Sequence, residues 1–137
     1  CLDELGCSQE ITSFVLPTGM TINMNGTAIM QVIATLFIAG CAGYSISFTQ
    51  LVVIALLALI ASAGTPAAPG SGAIILFTIL SGLGYVNDAA MLAYSLILAI
   101  NRPIEMLVTA LNVVGDSATS IYVAKSEGAL NEDVYNA

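Results

Sequence analysis

The sequence predicts an all-α integral membrane protein, and three observations carry that prediction. Hydrophobic residues make up 58% of the chain and charged residues only 8%, against roughly 25% charged in a soluble domain. Mean hydropathy is +0.95. Between Glu10 and Asp88 there is no Lys, Arg, Asp or Glu, so the turns in that stretch must be made by Gly, Pro, Ser, Thr and Asn. The pattern predicts a discontinuous transmembrane helix over 10–43, a re-entrant helical hairpin over 50–86, a kinked transmembrane helix over 88–127 and a polar tail over 128–137.

The segment before the first helix, Cys1 to Glu10, is acidic (Asp3, Glu4, Glu10) and reads as a solvated connector. The apolar run to Met20 and the run from Ala28 to Gly43 are each shorter than the roughly 20 residues a spanning helix needs. Between them lies Thr21-Ile22-Asn23-Met24-Asn25-Gly26-Thr27. Hydroxyls and carboxamides at membrane depth cost several kcal/mol apiece unless something satisfies them, on the order of the known transfer penalties. Gly19, Gly26 and Pro17 disfavour continuous helix there. The segment Asn23–Thr27 is therefore expected to be unwound, joining two half-helices into one crossing. Unwound backbone at that depth is tolerated where it lines a cavity, and broken helices are the usual site-forming device in secondary transporters.

Ser45 to Gln50 reads as a polar turn, followed by apolar runs over Leu51–Ala63 and Ala73–Val86. Runs of that length suit half-membrane helices better than full spans. The Gly64–Gly72 stretch between them, rich in Gly and Pro, is a hairpin tip that lets backbone approach a bound solute; two short spanning helices with a surface loop are the alternative. Asn87-Asp88 caps the last helix and Gly128 stops it. Pro103 cannot donate to the carbonyl of Ala99, which predicts a kink. The tail from Ala129 is acidic and expected to be disordered or solvated.

At about 100° per residue, Asn101, Thr109, Asn112 and Asp116 fall within roughly 40° of Glu105, on one stripe of the last helix. Met106, Leu107, Ala110, Val113 and Val114 take the opposite, apolar face. A polar stripe on a lipid-embedded helix must face protein or water. Arg102, at i−3, is a ready partner for Glu105. Asp116 has none, which makes it a functional candidate, and a cation from solution would offset its charge. Na⁺ suits carboxylate, carboxamide and carbonyl oxygens.

Composition also excludes chemistry. A net charge of −7 with only Arg102 and Lys125 basic argues against nucleic acid and anionic surfaces, and two basic residues are too few to set orientation. The three cysteines, Cys1, Cys7 and Cys41, are odd in number and lack metal spacing, so free thiols are expected. Without His there is no Ser/His/Asp or Cys/His set, zinc and haem sites are disfavoured, and no Gly-rich phosphate loop with its Lys is present. An intramembrane aspartyl protease would need a second carboxylate in register with Asp116, and Asp88 is far along the helix. The chain is not expected to be an enzyme. An accessory subunit whose polar stripe only joins helices is the remaining rival. Opening on Cys1 without a signal peptide, the sequence reads as a piece of a longer protein.

Three motifs resemble the dicarboxylate/amino-acid:cation symporter family, the glutamate-transporter homologues, over nearly the whole chain and the C-terminal third of such a transporter. Asn23-Met24-Asn25-Gly26-Thr27 resembles the Asn-Met-Asp-Gly-Thr signature of its discontinuous seventh helix. Ser62-Ala63-Gly64-Thr65 through Pro69-Gly70-Ser71-Gly72 resembles the tip of its second re-entrant hairpin, the extracellular gate. Asn112-Val113-Val114-Gly115-Asp116 resembles the sodium-binding end of its eighth helix. The resemblance implies an elevator-type transport domain in the plasma (bacterial inner) membrane, working within a homotrimer. It implies one sodium site from Gly19, Asn23, Asn112 and Asp116, and a second from Thr21, Met24, Ser62, Ala63 and Thr65. Thr27, Ala67, Gly72, Glu105, Val108, Thr109 and Asn112 would line the pocket for a small solute. Na⁺ is the implied coupling ion, with H⁺ as the alternative.

Three departures accompany the resemblance. The signature's aspartate is Asn25, which offers an oxygen but no charge to the third sodium site tied to that carboxylate. The aspartate that holds a substrate amino group is Glu105. The arginine that pairs with an acidic side chain is Val108, and a buried dicarboxylate without that partner is disfavoured. These changes predict a neutral amino acid as solute, with an acidic amino acid or C4-dicarboxylate as the alternative.

Overall fold

The computed structural model describes all residues, Cys1–Ala137, and is helical throughout. After a 3-10 turn at Asp3–Leu5, the helices are α1 (Gln9–Ile22), α2 (Asn25–Cys41), α3 (Phe48–Ala63), α4 (Ser71–Leu83), α5 (Asp88–Ser126) and a single turn, α6 (Glu132–Tyr135). Two stretches are long and apolar enough to cross a membrane: Gln9–Cys41, taking α1 and α2 together, and Asp88–Ser126.

The break between α1 and α2 is narrower than expected. Only Asn23 and Met24 leave the helix, while Gly26 and Thr27 already belong to α2. Pro17 and Gly19 do not interrupt α1. The reason is local: the Gly26 amide, which would be orphaned at a helix start, donates to Asn25 Oδ1 at 2.7 Å and to Asn112 Oδ1 at 2.8 Å. Two side chains satisfy the new N-terminus, so no longer unwound segment is needed.

Helix α3 opens on a reciprocal capping box. The Gln50 amide donates to Ser47 Oγ at 3.3 Å and the Ser47 amide to Gln50 Oε1 at 2.8 Å. The expected polar turn over Ser45–Gln50 therefore ends at Ser47, with Phe48 to Gln50 already helical. At about 1.5 Å per residue, α3 and α4 each reach less than the ~30 Å of a bilayer core. Gly70 stands in the left-handed region at φ 85°, where only glycine is unstrained, and turns the tip into α4. The hairpin of α3 and α4 seats on α2 and α5 through one core containing Ile38, Ile54, Leu76, Leu80 and Ile97, closed at one end by Tyr44 stacked on Tyr85 at 4.5 Å.

Helix α5 starts as expected, with the Ala90 amide donating to Asn87 Oδ1 at 2.8 Å. It then runs as one helix through Pro103, the position where a kink is expected. Loss of one ladder bond to Ala99 leaves the turns on either side intact, and α5 is braced against α1 and α2 over its length. It ends in a Schellman-type closure at Gly128, φ 67°, with the Ala129 amide donating to the Ala124 carbonyl at 2.8 Å.

The polar tail is exposed, as a solvated segment is, and it clasps the N-terminal connector: the Asn131 amide donates to the Gly6 carbonyl at 2.8 Å and the Ser8 amide to the Ala129 carbonyl at 3.2 Å. Lys125 pairs with Glu132 at 3.2 Å. The clasp buries Cys7, while Cys1 and Cys41 stay exposed, all three as free thiols. Burial, with Asp3 adding, pushes the Cys7 thiol above its usual range, so less of it is the reactive thiolate at any given pH. In a variant with Cys1 and Cys41 replaced by Ser, maleimide should label Cys7 at least about 10-fold more slowly than Cys1 labels in the reciprocal variant. The Cys7 rate should still be rising with pH above the usual thiol range. Equal rates would mean that the clasp opens freely.

Candidate functional site

The site is built where the α1–α2 break crosses the polar stripe of α5. Three glycines make that approach possible. A Cβ on Gly19 would overlap the Asp116 carboxylate, one on Gly26 would lie 2.6 Å from the Val108 carbonyl, and one on Gly115 would lie 2.6 Å from both Asn23 Nδ2 and Asn25 Nδ2. None of these positions has room for a methyl group. Gly19 and Gly26 stood out in the sequence as helix breakers; their role here is close packing. Gly115 stood out only as part of a motif.

A hydrogen-bond lattice ties break to stripe. Asn23 Nδ2 donates to Asp116 Oδ1 at 2.8 Å and, more weakly, to the Asn112 carbonyl at 3.4 Å. Asn112 spans the break, its Oδ1 accepting from the Gly26 amide and its Nδ2 donating to Thr27 Oγ1 at 3.2 Å and to Met24 Sδ at 3.3 Å. Asn25 turns toward Gly26 and Gly115 instead of the cavity.

Asp116 is only 7% exposed, and no cation of the chain reaches it: Arg102 pairs with Glu105 at 3.1 Å and Lys125 with Glu132. One carboxamide N–H answers its side chain. A buried carboxylate so placed needs a counter-charge. The oxygens gathered here, the carboxylate itself and the side-chain and main-chain oxygens of Asn112, are of the kind that hold a hard cation, although those of Asn112 already accept from the Gly26 amide and from Asn23 Nδ2. The observation that fits a cation is the unpaired Asp116 carboxylate.

The same lattice forms one wall of a cavity of about 600 Å³. The predicted solute-contacting residues Thr27, Ala67, Gly72, Glu105, Val108, Thr109 and Asn112 all line it, as do Asn23, Met24, Thr65 and Asp116. The remaining predicted ion ligands are not on its wall. Thr21 is exposed, Ala63 faces outward, and Ser62 is buried with its hydroxyl donating to the Leu59 carbonyl at 2.9 Å. The Thr65 hydroxyl likewise donates to the Ala61 carbonyl at 2.8 Å. The second ion set is thus divided among the cavity wall (Met24, Thr65), the flank of the hairpin (Ser62, Ala63) and the exposed end of α1 (Thr21).

Two contributors escaped sequence reading. Gln31, fully buried in α2, donates from Nε2 to the Gly72 carbonyl at 2.7 Å and so fixes the start of α4. Its signal was a lone carboxamide in an otherwise apolar run. Arg102, read only as the partner of Glu105, stands on the cavity wall itself. Glu105 accepts from Arg102 at Oε2 and from the Gly70 amide at Oε1, 3.0 Å away, joining α5 to the hairpin tip.

Comparison with known proteins gives a consistent result. A family model described as "Sodium:dicarboxylate symporter family" matches residues 1–126. The chain is 35% identical over 133 residues to the "Proton/sodium-glutamate symport protein" of Bacillus caldotenax, covering 96% of this chain and 30% of that protein. It is 40% identical over 119 residues to an "Excitatory amino acid transporter" of Onchocerca volvulus, covering 85% and 23%. It is 34% identical over 133 residues to a "C4-dicarboxylate transport protein" of Rhodopseudomonas palustris (strain BisB5), covering 96% and 29%. The chain therefore spans less than a third of the length of these relatives.

The packing at Gly115 makes a direct prediction. Gly115→Ala should destabilise the protein by about 1–3 kcal/mol, as overpacking does, and separate Asn23 from Asp116. Thermal melting in detergent reads the first effect. An unchanged melting temperature would mean the break does not rest on α5 as described.

Proposed function

The chain belongs to the sodium:dicarboxylate symporter family, an integral membrane transporter family, and from that premise we propose that it forms the ion- and solute-binding part of a cation-coupled symporter. The observation that carries this reading is Asp116. It is a buried carboxylate without a basic partner, bonded to the helix break through Asn23 and opening on a cavity roofed by a helical hairpin. A carboxylate serving only to join helices would be expected to find its counter-charge within the protein.

In this reading Na⁺ enters among Asp116, Asn112, Asn23 and the Gly19 carbonyl. Its charge offsets Asp116 and orders the break. Thr27 and Asn112, which share a hydrogen bond, then face the solute in fixed positions. A second ion between Met24 and Thr65 would draw the hairpin toward α1. Each ion lowers the cost of closing the tip over solute, so ion and solute bind with reciprocal coupling. H⁺ is the alternative coupling ion, in keeping with the name of the Bacillus relative. The α3–α4 hairpin acts as a re-entrant gate of a transport domain that moves across the plasma membrane within a homotrimer.

The solute proposed is a small acidic one. A neutral amino acid, expected from Val108, finds no support in the relatives, whose names specify glutamate, excitatory amino acids and C4-dicarboxylates. The cavity offers a physical reason to drop it: it has a guanidinium on its wall, in Arg102, despite the valine at 108.

Uptake by the complete transporter in proteoliposomes tests the reading. L-Aspartate, L-glutamate and succinate should accumulate under an inward Na⁺ or H⁺ gradient, at least one of them well above L-alanine. Asp116→Asn should reduce Na⁺-driven uptake by about 100-fold or more, the scale of a lost buried charge contact, while the protein still folds. Full activity in that variant would return Asp116 to a packing role.

A further inference from the structure

Arg102 and Glu105 hold each other in the place where a solute should bind, and the arrangement is specific. Glu105 has both oxygens engaged, Oε2 by Arg102 Nη1 at 3.1 Å and Oε1 by the Gly70 amide at 3.0 Å. The Glu105 side chain is 20% exposed and that of Arg102 is 72% exposed, and both line the cavity. Arg102 uses one nitrogen of its fork on Glu105 and makes no other side-chain hydrogen bond within the chain, leaving N–H donors free. Lys125, the other basic residue, is bound to Glu132. The cavity wall therefore contains two carboxylates, Glu105 and Asp116, and a single cationic side chain, Arg102.

We propose that an acidic amino acid binds by ion-pair exchange: its ammonium replaces the Arg102 guanidinium on Glu105, and the released guanidinium takes the solute's side-chain carboxylate. This rests on the acidic-solute reading above and narrows it. Exchange re-pairs the ammonium, Glu105, the guanidinium and the side-chain carboxylate, and leaves the α-carboxylate, common to every amino acid, to the polar wall of Thr27, Thr109 and Asn112. A dicarboxylate that lacks an ammonium gains Arg102 only by stranding Glu105 as an unpaired, largely buried carboxylate, the arrangement that low dielectric penalises most. A neutral amino acid displaces Arg102 but, with its α-carboxylate held on the polar wall, has no side-chain carboxylate to give it in return. The resident pair thus selects against both neighbouring solute classes. Arg102 is the specificity-determining residue, in place of Val108. The Gly70 amide stays on Oε1 throughout, so the exchange takes place beneath a tip already held to α5.

The test uses the complete transporter in proteoliposomes, with L-aspartate, succinate and L-serine offered under the same cation gradient. The wild type should prefer aspartate to succinate and to serine by about 100-fold or more, the scale of an unpaired buried charge. Arg102→Gln should lose aspartate uptake by a similar factor and gain serine uptake, because Glu105 is then free for any ammonium. Arg102→Lys, which keeps the charge without the fork, should keep the order of preference with aspartate weakened by about 10-fold. That variant also carries the test if Arg102→Gln fails to elute as folded protein on size exclusion. A merely structural Arg102 would lower all uptake together, and that result overturns the exchange. Wild-type preference for succinate over aspartate overturns the exchange while leaving the acidic-solute reading intact. Wild-type uptake of neither acid under any cation gradient overturns both.

Discussion

The bond from Asn23 to Asp116 is the interaction on which the rest depends. It joins the one place where the first crossing loses its helix to the one buried carboxylate of the second. Neither half makes sense alone. Without the break, Asn23 would continue a helix and its carboxamide would turn elsewhere; without Asp116, the break would present its polar groups to an apolar interior. The glycines at 19, 26 and 115 follow from this contact, since the helices must approach within a side chain's width. Asn112 follows as well, bridging both sides of the break with its own amide.

The hairpin depends on that base. Its tip is fixed at two points, by Gln31 on the Gly72 carbonyl and by Glu105 on the Gly70 amide. Its body is held mainly by apolar packing, from Ile54, Leu76 and Leu80 into the shared core, with one polar bond from the Tyr94 hydroxyl to the Ala73 carbonyl at 3.0 Å. Polar bonds at the tip and mostly dispersion along the shafts suit the gating proposed for the hairpin. The tip bonds can be re-made with water at little net cost, while the shafts keep their register. Outward, Leu59, Ile60, Ile74, Met106, Leu107 and Val114 are all well exposed, as befits surfaces meant for lipid or for neighbouring helices.

Much of this was legible in the residues, because composition and periodicity are reliable where an apolar solvent imposes them. The absence of charge from Ile11 to Asn87, the stripe running from Asn101 to Asp116, and the Gly/Pro tip at 64–72 each fixed an element. What escaped depends on contacts between distant parts. The break is two residues and not five because Asn112, far along the chain, caps Gly26. The helix survives Pro103 because its neighbours brace it, and no local rule carries that information. Val108 suggested a cavity without a cation because position-by-position comparison asks what stands at one site. Arg102 answers from nearly two turns away on the same helix, where a long side chain can reach what a short one cannot.

The clasp between Gly6–Ser8 and Ala129–Asn131 has a topological consequence. In the proposed membrane arrangement the α1–α2 unit crosses once, α5 crosses back, and the α3–α4 pair returns to its starting side whether it dips into the bilayer or spans it. The count of crossings in that arrangement is even, which agrees with a clasp that brings both flanks within hydrogen-bonding distance. On that proposal, residue 6 and residue 131 face one and the same aqueous compartment.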